Sequence, residues 1–404
     1  MNRILGYLLL LGLAMLNTAW AATINERQAR DIASSFMAAR SMPAAGLMTA
    51  HKAPMLNELS MPTAKTAYYV FNAAQAGKGY VIVAADDRVP AILGYSDSGT
   101  FDAQEVPPAM QDWLDGYALQ VEAIARGAAP ELRSAARAAI EPMLPVNWGQ
   151  GLPYNVLLPH INGSSNDHAY VGCVAVAMAQ IMGYWQYPPR TTQTIPKYTS
   201  NVGMSYAVTM PALPPIDFDW DNMHETYYTN DSTSNAALAV ANLMLYATTS
   251  VRSNFGLTST SSYTSNIPDK LITYFGYKNS AHFLRRSNFV TQAWEDTIYN
   301  ELVAGRPVVY GGNKKSSGHA FVCDGYDGEG RFHINWGWAG KSNGYFLLNL
   351  LNPSDEGIGS AAGAYGYVYN QGIGIGIEPA DGTNGTAAFS FEELSYSSAS
   401  TLPG

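Results

Sequence analysis

Apolar positions follow two different periods along this chain, and the change of period divides it. From Thr23, Ala29, Ile32, Ala33 and Phe36 fall on one helical face, and Asn25 with Gln28 has the form of a capping box. A Met/Pro/Ala-rich loop follows. Ala67 to Asn72 and Tyr80 to Ala85, joined around Gly77-Lys78-Gly79, predict a hairpin, and Ala91 to Tyr95 a further short strand. Met110, Trp113, Leu114, Tyr117, Val121 and Ile124 then recur at helical spacing and predict an amphipathic helix over residues 107–126. Thr23 to Arg126 thus reads as a small α+β unit without evident chemistry.

The stretch Val171 to Pro189 is apolar on nearly every face. Val174, Val176, Ala177, Met178, Ile181, Met182 and Trp185 leave Gln180 as the only polar side chain before Tyr184. This predicts a buried helix opened by Gly172-Cys173 and stopped by Pro188 and Pro189. Further helices are predicted over Asn235–Thr248 and Thr291–Val303, with a Pro-rich stretch (Pro189–Asp221) and a Ser/Thr/Gly-rich loop (Ser253–Ser265) between. The period then switches to two, and Pro307–Tyr310, His319–Asp324, Arg331–Trp336 and Tyr345–Leu350 predict strands separated by Gly-rich turns. Helices first and an antiparallel sheet last give an α+β second domain. The Ala-rich stretch Gly127–Arg137, with Pro130, Arg133 and Arg137, reads as an exposed linker, where proteases cut. Beyond about Pro379 the chain reads as a linker or tail.

A chain of 404 residues with 14% charged residues has room for two cored domains. A net charge of −9 argues against nucleic-acid or anionic-membrane partners. Arg3, the apolar run Ile4–Leu16 and Ala19-Trp20-Ala21 predict a signal peptide over residues 1–21. The run is too short to span a membrane, and no later stretch reaches that length. Export leaves two cysteines, Cys173 and Cys323, in an oxidising compartment, where a disulfide is the default. The competing reading is that Cys173 is a nucleophile. In the first turn of a helix, the positive end of the dipole favours thiolate over thiol. A free cysteine is also commonly just a small buried hydrophobe.

A cysteine nucleophile needs a base, and the chain has seven histidines. His160 and His168 fall in loop with no metal-binding pattern near them, and His51 lies in the first block. His319 opens a strand after a Gly/Ser-rich turn, where it can face a cleft on a rigid backbone. Alternation places His319, Phe321 and Cys323 on one face, so Cys323 packs under the site. Asn335, in the next strand, can fix the imidazole ring plane through its amide oxygen, with Trp336 and Trp338 as shields. The plainer reading of FHINWGW is a well-packed strand and turn.

GCVAVAMAQIMGYWQYP, GHAFVCDGYD and HINWGWAG, in that order, resemble the signatures of the streptopain-type (papain-like) cysteine peptidases. YYVFN…GKGYVIVAADDRVPAILGYSD resembles that family's propeptide. The resemblance runs from about Thr23 to Glu378. It implies a secreted zymogen: signal peptide 1–21, inhibitory propeptide 22–137, a two-lobed papain-like catalytic domain 138–378 and a tail 379–404. It implies Cys173 as nucleophile, His319 as general base and acid, Asn335 as the orienting residue and Trp336 beside it. Gly318 and Ser261 match substrate contacts. Papain-like enzymes carry an oxyanion-binding glutamine six residues before the cysteine; here that place is Asp167, whose charge would repel an oxyanion, so Gln150 is the alternative donor. No cofactor or metal is implied. The expected partners are protein or peptide substrates and the chain's own propeptide, which would fill the cleft or hold His319 away from Cys173. An acyltransferase or transglutaminase would use the same three residues, and a secreted binding module with a relic site is a third possibility.

Overall fold

The computed structural model describes residues 23–57, 59–130, 136–164, 168–227, 232–289, 291–313, 318–350 and 371–382. The apolar run at 4–16, Asp167 and the tail beyond 382 lie outside the described residues.

Helix α1 (Glu26–Ala39) begins with the capping box its sequence predicts, Asn25 and Gln28 each accepting the other's backbone N–H. Strands β1 (Met48–Leu56), β2 (Pro62–Asn72), β3 (Tyr80–Ala84) and β4 (Ile92–Ser96) form an antiparallel meander. The segment expected to be a Met/Pro/Ala-rich loop is therefore largely strand. Register shifts in β1 break the alternation that would have revealed it. Helix α2 (Pro108–Ala125) follows, with proline in its first turn, where no N–H is needed.

The second half contains α3 (Cys173–Trp185), β5 (Tyr198–Ser200), β6 (Val208–Met210), α4 (Asn235–Ser250), β7 (Asn254–Phe255) and β8 (Thr260–Ser261). It continues through α5 (Ile267–Phe275), β9 (His282–Arg285), α6 (Thr291–Val303), β10 (Val308–Asn313), β11 (Gly318–Tyr326), β12 (Arg331–Asn335), β13 (Gly344–Leu347) and β14 (Gly372–Ile375). Helix α3 is buried beyond its first residue, as its unbroken apolar run requires.

Among the described residues, one ten-stranded sheet runs in the order β1-β2-β3-β4-β13-β12-β11-β10-β14-β9, and every pairing is antiparallel. The two halves of the chain thus share one sheet, joined where Tyr95 and Gly94 of β4 meet Tyr345 and Phe346 of β13. Gly94 has no room for a side chain, since a Cβ would lie 2.7 Å from the Phe346 ring.

Strand alternation sends successive side chains to opposite sides and creates three cores. On one side α2 and α6 cover Tyr68, Val70, Tyr80, Ile82, Tyr310, Phe321, Phe332 and Phe346 in a single cluster spanning both halves. On the other side α1 covers Tyr69, Phe71, Val81 and Val83. Val309, Ala320 and Val322 face α3, α4 and α5, the helical lobe. The helical lobe and the sheet lobe give the second half its two-part architecture.

Candidate active site

Gly172 precedes α3 with φ of 87°, the left-handed region that favours glycine. A Cβ there would lie 3.0 Å from the Thr260 carbonyl oxygen. The glycine therefore lets the start of α3 press against β8, the short strand that carries Thr260 and exposed Ser261. The Val171 N–H donates to the Gln150 carbonyl at 3.0 Å, drawing Gln150 to the same helix end.

The amides of Ala320, Val174 and Cys173 itself favour a thiolate, as the helix-start argument expects. Burial outweighs them. Protein crowds the sulfur closely enough to raise the thiol above its ordinary value of 9.0, so the expected activation by the helix start is overruled in this state. Both cysteines are free, which removes the disulfide alternative. Cys323 is fully buried in the α2–α6 core, where burial and the neighbouring Asp324 carboxylate push its thiol well above the ordinary value.

Strand β11 presents two faces to two different helices. Ala320 and Val322 pack toward α3, and the Ala320 amide serves the Cys173 sulfur. Phe321 and Cys323 pack toward α2, and His319 Nε2 lies 3.5 Å from Asp112 Oδ2 on that helix. Asp112 was not singled out from the sequence. The signal available was a carboxylate beside Trp113 at the margin of the apolar face of α2, where it is 9% exposed. Gly318 starts β11 and is exposed.

Asn335 closes β12 almost fully buried. Its Nδ2 donates to the Val146 carbonyl at 3.0 Å, and its Oδ1 accepts the Gly337 N–H at 3.1 Å. Trp336 is enclosed by Phe321, Phe346 and Trp113, with ring centroids 4.9, 5.3 and 6.1 Å away, so helix α2 of the first half roofs it. Trp338 stands at the surface. His333 is a satisfied sheet residue, its Nδ1 2.6 Å from Asp324 Oδ1. His168 Nδ1 lies 2.8 Å from the Leu158 carbonyl, and His51 packs near Tyr68 and Phe101. Asp167 lies outside the described residues.

Residues 148–346 match the peptidase C10 family, and residues 21–121 match the Spi protease inhibitor family. The chain is 34% identical to streptopain of Streptococcus pyogenes over 401 residues, covering 93% of this chain and 98% of that one. It is also 34% identical to the thiol protease/hemagglutinin PrtT of Porphyromonas gingivalis over 391 residues, covering 92% of this chain but 43% of PrtT. A fragment of Prevotella intermedia prointerpain A, solved as a cysteine-to-alanine mutant, superimposes with a TM-score of 0.65 at 29% identity. That match covers 77% of this chain and 96% of the fragment.

Proposed function

The chain belongs to the peptidase C10 family, and from that premise we propose that Cys173 and His319 are its nucleophile and base, silenced by a propeptide spanning residues 22–137. Membership makes it a cysteine endopeptidase built as a zymogen, with an inhibitor-type domain at its N-terminal end. No helix among the described residues is long and apolar enough to cross a membrane. The run Ile4–Leu16 with Ala19-Trp20-Ala21 supports a signal peptide over residues 1–21 and hence secretion.

In the mature enzyme the Cys173 thiolate attacks a peptide carbonyl and the His319 imidazolium protonates the leaving amine. Water then hydrolyses the thioester, with His319 acting as base. Asn335 orients the imidazole and Trp336 shelters it. Gly318 and Ser261 contact the substrate backbone. Gln150, held near the start of α3, donates to the oxyanion together with backbone N–H groups there. The catalytic domain runs over residues 138–378.

The observation that carries the zymogen reading is the 3.5 Å approach of Asp112 to His319, because a propeptide residue engages the proposed base on the face of β11 opposite the nucleophile. A shift of a few ångströms suffices for latency, since proton transfer needs hydrogen-bond reach. The test is incubation of the purified zymogen under reducing conditions, comparing wild type with Cys173→Ala. Self-cleavage within residues 126–147 by the wild type alone supports the proposal, and equal processing of both chains rejects it.

A further inference from the structure

Besides the β4–β13 pairing and the shared core, the two halves meet in a charged cluster far from the cleft, whose meaning rests on the zymogen reading above. At the end of β11 remote from His319, the turn from Asp327 to Arg331 meets α1 and β4. Arg40 Nη2 lies 3.3 Å from Asp327 Oδ2 and 3.4 Å from Glu329 Oε2. Its guanidinium sits 4.5 Å over the Tyr95 ring and 4.9 Å over Phe36.

Arg331 reaches the other way. Its Nη1 is 2.7 Å from Asp327 and 3.0 Å from Glu329, while its Nε donates to the Ile92 carbonyl of β4 at 3.1 Å. Tyr95 stacks on Tyr345 with centroids 5.0 Å apart. Two guanidiniums and two carboxylates therefore meet across the join, walled by aromatic rings. With Arg40 in place the Asp327 side chain is only 1% exposed, so the two charges meet where little water competes. Eight residues of extended chain put this join roughly 25 Å from His319.

We propose that the Asp327–Arg331 turn is a recognition surface for a folded propeptide-type domain, distinct from the catalytic cleft. It fits a partner that offers an arginine clasped between two aromatic rings and a strand carbonyl alongside. Attachment and inhibition are then separate tasks: Arg40 and Ile92 help the shared sheet and core to hold, and Asp112 blocks. Every residue of the grip lies outside the linker at 126–137, so cutting the linker leaves it intact. The severed propeptide stays on the enzyme and keeps it silent until it is pulled away or digested.

The test uses the full chain carrying Cys173→Ala, nicked in its arginine-containing linker by brief trypsin treatment and followed by gel filtration. The parent should elute as one species holding both fragments. Arg40→Ala should release the propeptide about 10- to 100-fold faster, the effect of losing a hydrogen-bonded charge. Should Arg40→Ala fail to fold, Glu329→Gln weakens the same join from the catalytic side and must also speed release. Immediate separation of the nicked parent, or release rates unchanged in the folded variants, overturns the proposal. Trypsin makes the cut, so an error about Cys173 as nucleophile would leave this result untouched.

Discussion

Asp112 Oδ2 stands 3.5 Å from His319 Nε2, so the helix that precedes the linker reaches across the structure to the proposed catalytic imidazole. Removing that carboxylate while keeping its shape should loosen latency. In Asp112→Asn, Cys173 of the uncut zymogen should react about three- to tenfold faster with a thiol-directed peptidase inhibitor. The labelling rate of intact chain, read by mass, checks this. A rate equal to wild type would mean that the contact does not restrain the site.

The Cys173 thiol should show its burial as a displaced pH profile. Burial disfavours the thiolate, so at neutral pH the zymogen sulfur is protonated and weakly nucleophilic. Its alkylation rate should climb with pH through a midpoint above 9.0. Once the propeptide is gone and His319 can pair with the sulfur, the midpoint should fall. An identical midpoint before and after processing would refute this account.

Gln150 should matter for rate more than for binding. Replacing it with alanine in the processed enzyme should lower kcat by about 10²–10³ with little change in KM, as loss of one oxyanion donor does. Steady-state kinetics on a peptide substrate decide the matter. A change confined to KM would assign Gln150 to substrate binding instead.

Gly94 is the tight point of the shared sheet. A Cβ at this position would also approach the Tyr345 carbonyl oxygen to 2.9 Å, so Gly94→Val must push β4 from β13. The full chain should lose about 1–3 kcal/mol of stability, measurable by denaturant unfolding of the Cys173→Ala protein.

Much of this architecture was legible in local pattern. The all-apolar run of α3, its glycine entry and its proline stop gave a buried helix, and Asn25 with Gln28 gave the cap of α1. Strand β1 was hidden because Lys52 and Pro54 interrupt it and its register slips. Helix α5 was hidden because it has nine residues, too few for a clear period, directly after a Ser/Thr-rich loop. The state of the thiol in the uncut chain is not legible locally for a different reason. Helix-dipole arguments need only local sequence, whereas burial depends on which distant parts of the chain the fold packs around the sulfur. The role of Asp112 is likewise invisible until the fold sets α2 over β11, since nothing near residue 112 names His319 as its neighbour.

The single sheet has an effect on the molecule's later life. When β1 to β4 depart, four of the ten strands among the described residues go with them, and β13 loses its β4 neighbour and becomes a rim. That rim is four residues long, and β4 had matched it at two positions. So short a margin gives stray chains little template for adding strands of their own, which guards the newly exposed domain against fibrous aggregation.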